Sequence, residues 1–206
     1  MKKAGPKAEL AALRRLVKDL DNHFVLFHLG PPSLLPPSND EILDVAAYVV
    51  LVHGALENFI EGLALWVVGR SVANWTKQKR ITRCTASLLL SQAIPNDDGR
   101  MPSVFDNIRM ALELAKNRIS KTVADNNGIT LAHLRTLFLP LGVNVPSDPV
   151  LTASLELLVT MRHQWAHQYR FGGARVVKSA QDVHTTVTDC VRLAQKLSAE
   201  AAAIRP

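Results

Sequence analysis

Residues 45–68 form an apolar run whose only strongly polar interruptions, His53, Glu57, Asn58 and Glu61, fall near its middle. That combination excludes most folds a hydrophobic segment of this length could enter. The run is far longer than a strand, which spans about 5–6 residues. A bilayer core penalises ionisable groups at its centre by roughly 2.5–3.5 kcal/mol each, so a membrane span is disfavoured. A long helix buried at the centre of a bundle remains. Ser38, Asn39, Asp40 and Glu41 supply capping residues at its start, and Gly69 is expected to end it. His53, Glu57 and Glu61 are successive i, i+4 positions with Asn58 adjoining, so they form one polar ridge on an otherwise apolar helix. Such a ridge reads first as a partly buried structural network completed by an arginine. Its second reading is the polar wall of an active site.

The rest of the chain repeats the helical preference. Ala and Leu fill long stretches, aromatic residues make up only 5%, and strand-type alternation is scarce. Further helices are expected at 8–28, 84–93, 105–124, 131–139, 150–170 and 176–204. Gly30, Pro31, Pro32, Pro36 and Pro37 make a stiff connection. Turns are expected at 96–99 and 125–128, a loop at 142–149, and Gly172–Gly173 closes the helix before it. With 206 residues, 48% of them hydrophobic, the chain can build one sizeable core. The expected fold class is all-α, with a single domain over 1–206 and a disordered tail over 1–7.

A net charge of +6 favours a polyanionic partner, of which nucleic acid is the commonest, although many basic proteins are merely soluble. Cys84 and Cys190 lie far apart and outside any metal-ligand spacing, so they read as free, half-buried thiols of a reducing compartment. The basic N-terminus lacks the apolar stretch of a signal peptide. A cytoplasmic location is expected.

Residues 160–170, Thr-Met-Arg-His-Gln-Trp-Ala-His-Gln-Tyr-Arg, carry the densest chemistry. Arg162 offers a planar, permanently charged fork for a phosphate. His167 can exchange protons near neutral pH. Five residues of helix set the two about 140° apart and about 7.5 Å along the axis, so they could flank an inter-helix groove. Two other readings compete: Arg162 pairs with Glu57 or Glu61 while His167 sits at a helix end, or His163 and His167 ligate a metal. The second lacks the glutamate of the His-Glu-x-x-His pattern.

The Arg162-x4-His167 arrangement follows a long helix reading Val-His-Gly-Ala-Leu-Glu-Asn-Phe-Ile-Glu over 52–61, and together they resemble the HEPN superfamily. The nearest likeness is to its larger prokaryotic branch of toxin–antitoxin and anti-phage loci. That resemblance implies an HEPN-like helical bundle with additional inserted helices, acting as a homodimer that brings two such motifs into one cleft. It further implies a metal-independent endoribonuclease, with no cofactor, that leaves a 2′,3′-cyclic phosphate and a 5′-hydroxyl. Arg162 would stabilise the phosphorane, His167 would act as general acid or base, and Glu57 would orient one of them. Members often carry Asn or Asp directly after the arginine, where this chain has His163. His167-Gln168-Tyr169 is similar to the form of the motif whose tyrosine a nucleotidyltransferase partner adenylylates, so Tyr169 is a candidate modification site, or else a packed helix-end aromatic. An antitoxin or nucleotidyltransferase is the implied protein partner. His163 and the basic run Lys77, Lys79, Arg80 and Arg83 are candidate RNA contacts, and a solvated loop explains the run equally well. Trp66, Trp75 and Trp165 read as core or dimer interface rather than as base-stacking platforms. The alternative function is a non-catalytic, dimerising module of the same type that binds a nucleotide, RNA or a partner protein.

Overall fold

The computed structural model describes residues 5–30, 36–93, 108–126, 128–167 and 178–204. Seven α-helices account for nearly all of them, and the described residues include no strand: α1 (Pro6–Leu20), α2 (Asn39–Gln78), α3 (Arg83–Ala93), α4 (Ile108–Ala124), α5 (Leu131–Phe138), α6 (Pro149–His167) and α7 (Ala180–Ala203). The all-α expectation is met. Pro31 and Pro32, the turn at 96–99, Phe105, Tyr169, Gly172–Gly173 and Val176 lie outside the described residues.

The apolar run becomes the axis of the molecule. α2 packs against α1, α3, α4, α5, α6 and α7. Val49, Val52, Leu56, Ile60, Leu63 and Val67 are among its buried side chains. By length and composition this helix could cross a membrane; in the fold it is the core around which the others pack. Its neighbours α1, α6 and α7 complete a bundle whose directions can be read from side-chain bonds. Tyr48 donates to Asp21 across the α1–α2 corner. Ser154 donates to Asp189 at 3.1 Å and Lys196 to Asp148 at 2.8 Å, so α6 and α7 run antiparallel. The amide of Asn126, just past α4, donates to Glu61 at 2.8 Å, while Lys116 lies beside Val68 and Gly69, so α4 runs antiparallel to α2.

Side-chain caps fix several helix starts. The Ser38 hydroxyl accepts the Glu41 N–H at 3.1 Å, as the capping residues predicted. Thr130 and Ser179 cap α5 and α7 in the same way. Several boundaries differ from expectation, among them the start of α7, which lies at Ala180 behind its Ser179 cap rather than at 176. α1 begins at Pro6, inside the segment expected to be a tail, because proline suits a first helical turn and this one is buried. The first helix does not continue regularly to residue 28; it passes into a π-helical turn at Asp21–Val25 and a 3₁₀ turn at Leu26–His28. The widened turn carries Asp21, which receives the Tyr48 hydroxyl and lies 3.9 Å from His184 of α7. Most consequentially, α2 runs through Gly69 and stops only at Lys79, which adopts φ 54° and donates its N–H to the Trp75 carbonyl at 2.9 Å. Ser71 and Val72 beyond the glycine are buried, and that burial holds the extra turns. Both cysteines are free and buried outright rather than half-buried.

Candidate functional site

The polar ridge of α2 does not disappear into the core. His53 is buried at 3% exposure, but Glu57 and Glu61 are half-buried and Asn58 is exposed. Together with Gly54 they form one wall of an open cleft of about 790 Å³. The end of α4 (Val123, Ala124) and Asn126 supply the second wall. Arg162 and His163 of α6 supply the third. Two segments widely separated from it in sequence therefore converge on the ridge, and the arginine of the Arg-x4-His segment faces its carboxylates.

The contact is electrostatic rather than a closed pair. Arg162 makes no ion pair with a described residue, so the expected alternative of a direct bridge to Glu57 or Glu61 is not what the fold contains. Its charge is nevertheless felt across the cleft. Burial, and then the Arg162 guanidinium, push His53 down to about 4. Glu57 moves the other way: burial and the neighbouring Glu61 raise it, and Arg162 and His133 oppose them without prevailing. His53 Nδ1 lies 3.9 Å from the Glu57 carboxylate. A carboxyl whose proton affinity is raised beside a permanently charged guanidinium is equipped for proton transfer next to an anion-binding group.

Two contributors were not singled out in the sequence. Asn126 sat in a segment read only as a turn, yet its amide fixes the Glu61 carboxylate. His133, in the first turn of α5, acts on Glu57 through its charge. The Thr130 hydroxyl holds its ring, 3.0 Å from Nδ1, and also accepts its backbone N–H at 3.3 Å. Neither residue lies within a sequence motif of the ridge or of α6, so no local signal could have found them.

Other expected site residues are placed less centrally. His167 is the last residue of α6, but its side chain falls outside the described set, and Tyr169 lies wholly outside it. Lys77, Lys79 and Arg80 are exposed at the far end of α2. From Glu57 to Lys77 the helix rises about 30 Å, so the basic run and the cleft are not brought together within one chain. Lys79 stands 5.8 Å from the Trp75 ring centroid, and Arg83 donates to Asn144 at 3.2 Å. Trp66, Trp75 and Trp165 are partly buried against the core. Among the described residues no group of three His, Cys, Asp or Glu side chains could hold a metal ion.

No protein-family model matches this chain, and neither a characterised protein nor a solved structure matches it.

Proposed function

We propose that the chain is an HEPN-type endoribonuclease, metal-independent and cytoplasmic, that works as a homodimer in a toxin–antitoxin or anti-phage setting. The observation that carries this reading is the convergence of Arg162 on the Glu57 carboxyl, with His53 beneath, in a cleft wide enough for a nucleotide. In the proposed reaction a base takes the proton of a ribose 2′-hydroxyl and the 2′-oxygen forms a bond to the adjacent phosphorus. The P–O5′ bond then breaks, and an acid protonates the departing 5′-oxygen. No water is consumed, and the product is a 2′,3′-cyclic phosphate. Arg162 offsets the charge that builds on the phosphorane oxygens, His167 supplies or removes one proton, and Glu57 sets the protonation and orientation of the pair.

The test is cleavage of single-stranded RNA by the purified protein with a chelator present. The wild type should release cyclic-phosphate ends. Arg162→Ala and His167→Ala should each lose roughly 10²–10⁴-fold in rate. Full cleavage by the double variant would sink the assignment.

A second reading is a dimerising interaction module without catalysis. One observation favours it: Leu43, Val50 and Leu51 are exposed at 65, 40 and 46%, along the α2 face that continues through Gly54 to Asn58. It predicts no cleavage by the wild type and binding that is indifferent to His167→Ala.

A further inference from the structure

The cleft does not end at Asn58. That residue also lines a second recess, of about 310 Å³, where α1 packs along α2. At about 100° per residue, Glu57 and Glu61 lie on one flank of α2 and Phe59, Gly62 and Trp66 on the other, with Asn58 between them. Cleft and recess are thus two parts of one groove crossing α2, the first polar and charged, the second apolar.

The chemistry of the recess differs from that of a phosphate site. No cation lines it, and its one charge is Glu9 at the rim. Its floor includes Phe59, buried, and Trp66, half-buried against the core. Asn58 is exposed and makes no hydrogen bond with a described residue, so its amide offers both a donor and an acceptor at the junction. Gly62 stands in the middle of a long helix, where glycine is unfavourable. A Cβ there would meet nothing within 4 Å, so packing does not demand the glycine; its absent side chain keeps the recess open. An aromatic floor, an open slot over glycine, and two polar groups able to read an edge suit a flat neutral ring that carries hydrogen-bond donors.

We infer that the α1–α2 recess is the nucleobase subsite of the RNA site: the base next to the phosphate held by Arg162 lies over Gly62 against Trp66, with Asn58 and Glu9 reading its edge. Recognition of unstacked bases by aromatic stacking plus edge hydrogen bonds is how single-stranded RNA is commonly read. The Glu9 carboxylate only accepts, so guanine, whose N1–H and amino group donate side by side, binds better than uracil, whose edge offers the single N3–H. This inference rests on the ribonuclease reading.

The experiment uses the full chain and short single-stranded oligonucleotides with 2′-methoxy sugars, which bind but cannot be cut. Affinity is measured across a salt series for the wild type, Gly62→Leu, Asn58→Ala, Glu9→Gln and Arg162→Ala. Gly62→Leu should melt no lower than the wild type, bind about 10-fold or more weakly, and keep the salt slope, because the lost contact is uncharged. Arg162→Ala should weaken binding and reduce the slope by about one. The wild type should prefer a guanine-bearing oligonucleotide to its uracil counterpart, and Glu9→Gln should erase the preference. Asn58→Ala gives the same affinity readout should Gly62→Leu fail to fold. If Gly62→Leu and Asn58→Ala bind as the wild type while Arg162→Ala does not, the subsite is refuted and the phosphate site stands. If the wild type binds no oligonucleotide, both readings fall. If Gly62→Leu converts a sedimenting dimer to a monomer, the recess is a contact with a second copy and the inference is overturned.

Discussion

The Nδ1 atom of His53 lies 3.9 Å from the carboxylate of Glu57 one helical turn further on, and burial drives both groups toward their neutral forms. For His53 the Arg162 guanidinium adds to the effect of burial. For Glu57 the same guanidinium works against burial and against Glu61. One arginine therefore widens the window in which the histidine is unprotonated and narrows the one in which the glutamate is protonated. Two pH-dependent outcomes follow from this, and two stability outcomes follow from Gly69 and Gly142.

His53 has a folded pKa of about 4 against an ordinary 6.5. Between those values the unfolded chain binds a proton that the folded chain refuses. The contribution of His53 is therefore fully present above pH 6.5, is lost as pH falls toward 4, and changes no further below that. Its ceiling is about 3 kcal/mol, from about 1.4 kcal/mol per pKa unit. Urea unfolding of the wild type and His53→Gln between pH 7 and 4 isolates the term. The wild type should lose stability more steeply, and parallel curves would show that His53 is not buried in its neutral form.

Glu57 has the opposite sign. Because its folded pKa is raised, its stabilising contribution is present at low pH and is lost as pH rises through the folded value. Glu57→Gln, which mimics the protonated carboxyl, should melt at or above the wild type at pH 7, with the difference closing toward pH 4. RNA cleavage by the same variant should fall. A variant that melts lower at pH 7 would show that ionised Glu57 is held by a pairing the fold does not contain.

Glycine substitutions test the two ways glycine is used. Gly69→Ala should stabilise by about 0.5–1 kcal/mol, since the position is mid-helix and a Cβ there meets nothing within 4 Å. Had the helix ended at Gly69, alanine would destabilise. Gly142 sits at φ +70°, and a Cβ would come within 3.2 Å of the Ser87 Cβ. Gly142→Ala should therefore destabilise by more than about 1 kcal/mol. Thermal or urea denaturation reads both, and the two shifts should have opposite signs.

Most of the architecture was legible because helices announce themselves locally. The apolar content of residues 45–68 required a central helix, Ser38 marked its start, and the ridge at His53, Glu57 and Glu61 followed from a spacing of four. Those features depend on neighbours within a turn or two of each other. Where α2 ends was not legible, because burial of Ser71 and Val72 overrode a glycine that by itself signals a stop. The π-helical turn was hidden for a similar reason: Asp21 is met by Tyr48 and His184, which come from other helices.

The site divides along the same line. The sequence by itself determined the candidate side chains, their order and their faces on α2 and α6, since these follow from residue identity and helical period. Only the tertiary structure decided that Arg162 would face Glu57 without closing a salt bridge, that Asn126 would bond Glu61 from 65 residues away, and that His133 would act on the same carboxyl. It also decided that the basic run at Lys77 would stand at the far end of α2. Proton affinities belong to this second class, because burial and the charges of other helices create them, and no local spacing encodes the distance between two helices.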